Sequence, residues 1–520
     1  MIVWGSVSRI NRRAELAAIG LLLPILLTAQ NYVFGPNVRV NDDPPGRSFH
    51  SVYSPGQHSI AARGDTVYIV WWDDRGGESH IQFARSNDAG QSFLPNVRVD
   101  NTPPGCEGMM SGLAVDDSGR IHVSWVNYNP HNRAFAYYAR STDGGQSFLT
   151  PVRACDSLAQ TQYAYSSLAV SRSGRYVYIA RSENSGYPDS AYRVLLSRST
   201  DGGATFLVPD TRVFPESATG IWRQTIAVYQ DTIVLIAAEG GGDGPSGADI
   251  YFTRSVNGGA SFDSSSLLND TTGNTVNQGY PSIGADSLGR VSVVWTGGDG
   301  GLGLAVSTDT GGSFLFRGVV PGGSHDPSLF VGVGGQLYVS WFGLDGGDAD
   351  VEFTFSTNGG VTFAPPVRPV DAPESTFEGP STVTANAQGK AFIAWADNRN
   401  DPGGLLHCDI YCATGILSAI EESRSMSTSG LALRVGCLRG AGPVPIQYAL
   451  PNSGLVCLAI LDETGRRVAQ LERGREAAGE HLVLWDGLVL GSKVAGSGVY
   501  FVMLETPMGS LSRKAILVRD

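Results

Sequence analysis

Ser141-Thr142-Asp143-Gly144-Gly145-Gln146-Ser147-Phe148 is one of six copies of a single turn in this 520-residue chain. The other copies begin at Ser86, Ser199, Ser255, Ser307 and Ser356, and each closes on a phenylalanine seven residues later. The third position holds Asp88, Asp143, Asp201, Asn257, Asp309 or Asn358. An Asp or Asn there folds its side chain back onto nearby backbone N–H groups. The glycine that follows takes a positive φ, and the aromatic plugs the turn into the sheet. Copies start roughly 49 to 58 residues apart, about the length of a four-stranded propeller blade. These six residues are therefore expected to be braces.

Between the turns a second unit recurs, clearest in Tyr280-Pro-Ser-Ile-Gly-Ala-Asp-Ser-Leu-Gly-Arg-Val-Ser-Val-Val-Trp295. It reads as a strand, a glycine turn and an alternating strand that ends in an aromatic. Counterparts end at Trp71, Trp125, Ala180, Ala237, Trp341 and Trp395, making seven hairpins against six turns. A third strand, the turn and a fourth strand such as Phe93-Leu-Pro-Asn-Val-Arg-Val99 complete each unit except the last. The missing piece lies at the other end of the chain, where Phe34-Gly-Pro-Asn-Val-Arg-Val-Asn41 nearly duplicates Phe93-Leu-Pro-Asn-Val-Arg-Val-Asp100. Residues 37–40 are expected to pair with 409–413, closing the ring and removing a free sheet edge.

The repeated turn resembles the Asp box of sialidase-type propellers, in which the box is a brace remote from the active site. The expected fold is all-β: a seven-bladed β-propeller over residues 30–414, although the sialidase enzymes themselves have six blades. A polar stretch over 415–430 reads as a linker. Residues 431–520 carry Val444-Pro-Ile-Gln-Tyr-Ala-Leu-Pro451, Leu455-Val-Cys-Leu-Ala-Ile-Leu-Asp462, Gly465-Arg-Arg-Val468, Gly479-Glu-His-Leu-Val-Leu-Trp485 and Gly498-Val-Tyr-Phe-Val-Met-Leu504, a series of alternating strands suited to an Ig-like β-sandwich. Their order resembles the FlgD-type immunoglobulin-like module and the C-terminal sorting domains of secreted bacterial surface proteins. That resemblance implies contact with secretion machinery or the cell surface.

Glycine is abundant (67 residues) and only 17% of residues are charged, which suits many short strands joined by tight turns. A net charge of -12 argues against nucleic acid and against an anionic membrane surface as partner. Arg9, Arg12 and Arg13 precede an apolar run from Leu16 to Leu27 that closes at Leu27-Thr28-Ala29. This is the pattern of a secretory signal peptide over 1–29. It is too short for a comfortable membrane span, and no transmembrane segment is expected elsewhere. The product is expected to be secreted or displayed at the cell surface. Among the six cysteines, Cys408 and Cys412 are too far apart on one strand to bridge, whereas Cys437 and Cys457 could pair. No Cys/His spacing resembles a zinc site.

Aligning the hairpins places Gln57, Met110, Tyr165, Arg223, Tyr280, Asp326 and Gly379 just before the innermost strands, with His58, His325 and Glu378 beside them. Loops at the same mouth begin with Asp73-Asp74-Arg75, Asn127, Glu183, Glu239, Asp345 and Asp397-Asn398-Arg399. Gln57, His58, Asp73, Arg75, Tyr165, Arg223, Tyr280, Asp326, Asp397 and Arg399 are thus the ligand-binding candidates, although Asp73/Arg75 and Asp397/Arg399 read more readily as internal ion pairs that brace the loops. No catalytic set is assigned. No metal site is evident, although the acidic loops Glu239-Gly-Gly-Gly-Asp243 and Asp345-Gly-Gly-Asp348-Ala-Asp350 could offer oxygen ligands to Ca²⁺. A sialidase needs three arginines on the substrate carboxylate, and only Arg223 stands in this ring as an arginine. The Arg-Ile-Pro segment of that family is missing near Gln57. The sequence thus favours a non-catalytic propeller that binds glycan or protein at its mouth. The alternatives are an exo-sialidase-type glycoside hydrolase and a structural adhesion component.

Overall fold

The computed structural model describes residues 30–52, 58–131, 133–156, 165–184, 192–215, 220–241, 247–269, 277–297, 301–343, 350–372, 377–401, 407–419, 431–435, 438–439, 444–462, 465–485, 488–489, 493–496 and 498–518. The segment 1–29 expected to be a signal peptide lies outside them, as do Gln57 and Cys437. Every element among the described residues is a β-strand, and none is a helix long and apolar enough to cross a membrane. The chain divides after Ala419 into two compact units.

The first unit holds seven antiparallel sheets. Their innermost strands are Ile60–Arg63, Glu107–Val115, Ser166–Val170, Ile221–Tyr229, Gly279–Ala285, His325–Val331 and Glu378–Ala385. Each touches the next, and the seventh returns to the first, so the sheets form a closed, propeller-like cycle. Side-chain hydroxyls tie this cycle together. Ser167 Oγ accepts from Ile226 N–H (3.2 Å), Thr225 Oγ1 from Ile283 (3.4 Å), Ser282 Oγ from Leu329 (3.0 Å), Ser328 Oγ from Val383 (3.1 Å) and Thr382 Oγ1 from Ser59 (3.3 Å). A strand that faces neighbouring strands on both sides has backbone donors left over, and these hydroxyls satisfy them.

The second strands are deeply buried, as in Val291–Thr296 and Ala391–Asp397, where every residue is buried. Trp71, Trp125, Trp295, Trp341 and Trp395 lie one to three residues before the ends of these strands and are fully buried. The six turns close the third strands as expected. In the second copy Asp143 Oδ1 accepts from Ser147 N–H at 3.0 Å, Ser141 Oγ donates to it at 2.7 Å, and Ser141 Oγ accepts from Gly145 N–H at 2.8 Å.

The two ends of the first unit pair in the seventh sheet, Val38 with Cys412 and Arg39 with Tyr411. A further strand, Gln30–Phe34, pairs with Gly415–Ala419 in register, so the segment 415–419, expected to open a linker, is the end of the strand Asp409–Ala419. The outer strands are shorter than expected: the first four sheets pair through only two residues, as in Val97–Arg98. The cause is local, since Leu94 N–H turns back to Arg85 O at 2.9 Å and Pro95 has no N–H to give. In the sixth sheet the outer strand is reduced to one bridge, Phe353 with Val367, because Pro365, Pro366 and Pro369 remove three ladder donors.

The second unit holds a three-stranded sheet (Ala432–Val435, Val444–Leu450, Gly479–Trp485) and a five-stranded one that includes Gly454–Leu461, Arg467–Glu476, Gly498–Thr506 and Gly509–Val518. Ile446, Tyr448 and Trp485 from the first share one core with Leu458, Ile460, Val502 and Leu504 from the second. Cys457 is free.

Candidate functional site

Four residues from the expected ring, Met110, Arg223, Tyr280 and Asp326, have positive φ (55°, 45°, 53° and 46°). Non-glycine residues rarely adopt this conformation, and holding one there costs free energy that surrounding structure must offset. Each sits in a register shift of its inner strand: Met109/Gly112, Trp222/Thr225, Gly279/Ser282 and His325/Ser328, with a fifth at Glu378/Ser381. An extra residue in one strand re-aims its side chain out of the alternating pattern. One device, repeated in successive sheets, thus presents different side chains at equivalent positions. Proline follows in three copies (Pro281, Pro327, Pro380), tolerated because the bulged position has no ladder bond to lose.

Arg223 is the centre of the cluster. Its guanidinium carbon lies 3.8 Å from the Trp222 ring centroid and 4.1 Å from that of Tyr280. Nη1 donates to both carboxylate oxygens of Glu239 at 3.1 Å. Glu239 Oε2 also accepts from Tyr280 N–H at 3.3 Å. Burial pushes the Glu239 carboxyl up, against the opposing pull of Arg223. Trp222 packs in turn against Tyr165 (6.0 Å) and Tyr192 (5.4 Å). Glu239, Trp222 and Tyr192 were not among the sequence candidates for binding. Glu239 opens one of the loops expected at the mouth and also belongs to an acidic loop considered for Ca²⁺, and Trp222 gives no signal beyond its place beside Arg223.

Asp326 completes the group. Its backbone N–H reaches Thr296 Oγ1 at 3.1 Å, while its buried Oδ1 has no hydrogen-bond partner among the described residues. Burial raises its pKa to about 6, with Arg223 pulling down and Glu239 pushing up. Burial also raises the Tyr280 phenol, which feels Arg223, Asp326, Glu239 and Tyr165. His58 lies in the same ring: burial lowers its pKa, partly opposed by a bond to the Ile283 backbone of the fifth sheet, and Nδ1 is unpartnered among the described residues. Arg223, Tyr165, Tyr280 and Asp326 are thus brought together electrostatically, and His58 faces the fifth sheet.

The structure gives the other four candidates a different task. Arg75 donates to Asp73 through Nε (2.9 Å) and to Asp42 through Nη1 (2.8 Å). Arg399 donates to Asp397 (2.7 Å), Asp371 (2.7 Å) and Asn37 (3.0 Å). Asp73 and Asp397 also accept from the indoles of Trp71 and Trp395. These are the bracing ion pairs, and Arg75 and Arg399 do not turn toward Arg223.

Metal-ligand chemistry has one grouping among the described residues, Asp43, His50 and Asp409, whose ligand atoms lie within 4.8 Å of one another. Arg39 Nε lies 3.1 Å from Asp409 and Arg75 Nη2 lies 3.5 Å from Asp43, so two guanidiniums supply the positive charge a cation would bring. Residues 242–246 and 344–349 of the acidic loops considered for Ca²⁺ lie outside the described residues. Of their described ends, Glu239 holds Arg223 and Asp350 holds Arg368 at 2.9 Å.

No family model and no curated protein matches the chain. Among solved structures it is similar to a protein of unknown function from Dyadobacter fermentans (12% identity, 74% of this chain and 99% of that one, TM-score 0.45). It is also similar to a Hadza microbial sialidase (15%, 67% and 73%, 0.42) and to an ulvan lyase of a polysaccharide lyase family (12%, 70% and 93%, 0.46). Likenesses this distant assign neither a family nor an activity.

Proposed function

We propose that the chain is an exported, non-catalytic glycan-binding protein: a seven-bladed propeller, one blade per sheet, carried by a FlgD-type Ig-like module that meets the cell surface or secretion machinery. The observation that carries the binding reading is the delivery of Arg223, Tyr280 and Asp326 to one mouth by equivalent bulges in three successive sheets. Trp222, Tyr165 and Tyr192 add aromatic faces beside them. Aromatic walls with a few fixed polar groups are the usual make-up of a small-ligand site. Catalysis on a sialoside needs more than this. One arginine, already paired with Glu239, does not hold a substrate carboxylate in the fixed geometry that attack requires.

A glycan array probed with the purified protein tests the reading. Binding is expected, and it is lost in Arg223→Ala and Tyr280→Ala while both variants remain folded by circular dichroism. A second reading, a glycoside hydrolase, is favoured by one observation: an acid at Asp326 with a pKa near 6 suits proton donation to a leaving group. Turnover of fluorogenic glycosides that disappears in Asp326→Asn would establish it and displace the binding reading.

A further inference from the structure

We infer that this mouth selects neutral, hydroxyl-rich sugars and discriminates against sugars bearing a carboxylate, an inference that rests on the glycan-binding reading above. The positive charge of the cluster is already paired. Arg223 is the basic side chain of the cluster, and both oxygens of Glu239 lie 3.1 Å from its Nη1. A ligand carboxylate has to displace Glu239 or share its guanidinium. Glu239 cannot swing away freely, because it is buried and also accepts from Tyr280 N–H. The guanidinium is likewise fixed, between the rings of Trp222 and Tyr280.

A second carboxyl group then tips the balance. Asp326 enters from the next sheet but one, and it feels both Arg223 and Glu239. With Asp326 and Glu239 both ionised, the cluster carries one more negative group than positive. An incoming carboxylate meets net repulsion in a desolvated place, where like charges discriminate strongly. A hydroxyl meets the opposite. Among the described residues Asp326 Oδ1 and Arg223 Nε are buried without a hydrogen-bond partner, and a hydroxyl that reaches them can donate to the first and accept from the second. Sugar C–H faces find the aromatic rings. A hydroxyl reads this donor-and-acceptor pair in a way that a carboxylate, an acceptor only, does not. The pKa of Asp326 near 6 adds a direction: protonation below that pH removes the surplus negative charge, so discrimination narrows at pH 5.

Calorimetric titration of the full chain with galactose against galacturonate, and with lactose against 3′-sialyllactose, tests this at pH 7.5 and pH 5. The neutral member of each pair is expected to bind at least about ten-fold more tightly at pH 7.5, with little dependence on salt, and by a smaller margin at pH 5. In Glu239→Gln, a near-isosteric change, the preference shrinks or inverts because Arg223 is released. An acidic member that binds as tightly as its neutral partner, and loses binding in Tyr280→Ala, would overturn the selectivity while leaving the mouth as the binding site. Sugar binding that survives Tyr280→Ala and Arg223→Ala in folded protein, or no binding by any of the four sugars, would overturn the site itself and the selectivity with it.

Discussion

Single side chains in the repeated turn do two jobs, one local and one between sheets. Locally, the hydroxyls of Ser86 and Ser92 hold the Asp88 carboxyl down to about 2, and Ser307 does the same for Asp309. Acids depressed in the fold contribute stability that is complete above the unfolded pKa of about 4 and is lost as pH falls through about 2. Asn257 and Asn358 occupy the same position and keep the bonds to Ser261 N–H and Thr362 N–H at 3.0 and 2.9 Å. Asp143→Asn is therefore expected to preserve the melting temperature at pH 7 while reducing its fall between pH 4 and pH 2. Asp143→Ala, which orphans turn N–H groups, is expected to cost about 1 kcal/mol by denaturant melting. Between sheets, a Cβ on Gly145 would come within 2.4 Å of Phe83 in the preceding sheet, at a φ of +85°, and Phe148 packs edge-on against the same ring at 5.2 Å. Gly145→Ala is expected to be more damaging than Asp143→Ala, by about 1–3 kcal/mol in the same assay. The brace role was legible from Asp and Gly types alone. The inter-sheet role was not, because the clashing ring stands about 60 residues away, a separation local pattern does not encode.

At the scale of elements, neighbouring sheets are joined by clasps that sequence reading did not separate from ordinary loops. Asp42 and Asn96 exchange backbone-to-side-chain bonds at 2.9 and 2.8 Å, with Arg75 donating to both. Asn37 and Asp371 do the same at 2.9 and 2.8 Å beneath Arg399. In the third clasp both partners are acids: Asp156 N–H reaches Asp210 at 3.1 Å, and Asp210 N–H reaches Asp156 at 2.8 Å, with Arg181 2.6 Å from Asp210. Burial and the facing Asp156 raise the Asp210 carboxyl, with Arg181 opposing. An acid raised in the fold binds protons that the unfolded chain has released, so its contribution declines as pH rises above about 4. Asp210→Asn recreates the other two clasps and removes one of two facing charges. It is expected to raise the melting temperature at pH 8 by about 1–2 °C and to leave it unchanged at pH 4.5; a loss at pH 8 would mean the Arg181 pair outweighs the repulsion. The Asp-x-Arg spacing of Asp73/Arg75 and Asp397/Arg399 was readable as an ion pair, whereas the reciprocal partners lie 54 or 334 residues apart and carry no local signature.

Across the whole first unit, what the chain makes plain and what it hides follow from the same repetition. Seven hairpins and a duplicated Pro-Asn-Val-Arg-Val segment announce seven sheets and a pairing of chain ends, since each copy repeats a local pattern. The mouth was half legible: alignment found Arg223, Tyr280 and Asp326, and the thrice-repeated Pro-Ser after the bulged position (Pro281-Ser282, Pro327-Ser328, Pro380-Ser381) marked the bulges for anyone asking why proline sits in an inner strand. Glu239 stands across the same hairpin from Trp222, so alignment brings it to the mouth, whereas Tyr192 comes from another sheet and meets Trp222 only through the fold. Closure has an energetic consequence. Tyr32 on the strand Gln30–Phe34 is buried against Phe353 and Phe355 at 5.1 and 4.9 Å, so the N-terminal strand seals the sixth and seventh sheets together as well as covering the edge of Asp409–Ala419. Removing residues 30–41 would expose that strand's unpaired backbone and uncover this aromatic cluster. An exposed edge of this kind templates association. The shortened chain is expected to melt at least several degrees lower and to elute partly as oligomers in size-exclusion chromatography. Tyr32→Ala, which keeps the backbone pairing but empties the aromatic cluster, is expected to cost about 3–5 kcal/mol without oligomers. A shortened chain that stays monomeric with an unchanged melting temperature would mean the ring closes without its N-terminal strand.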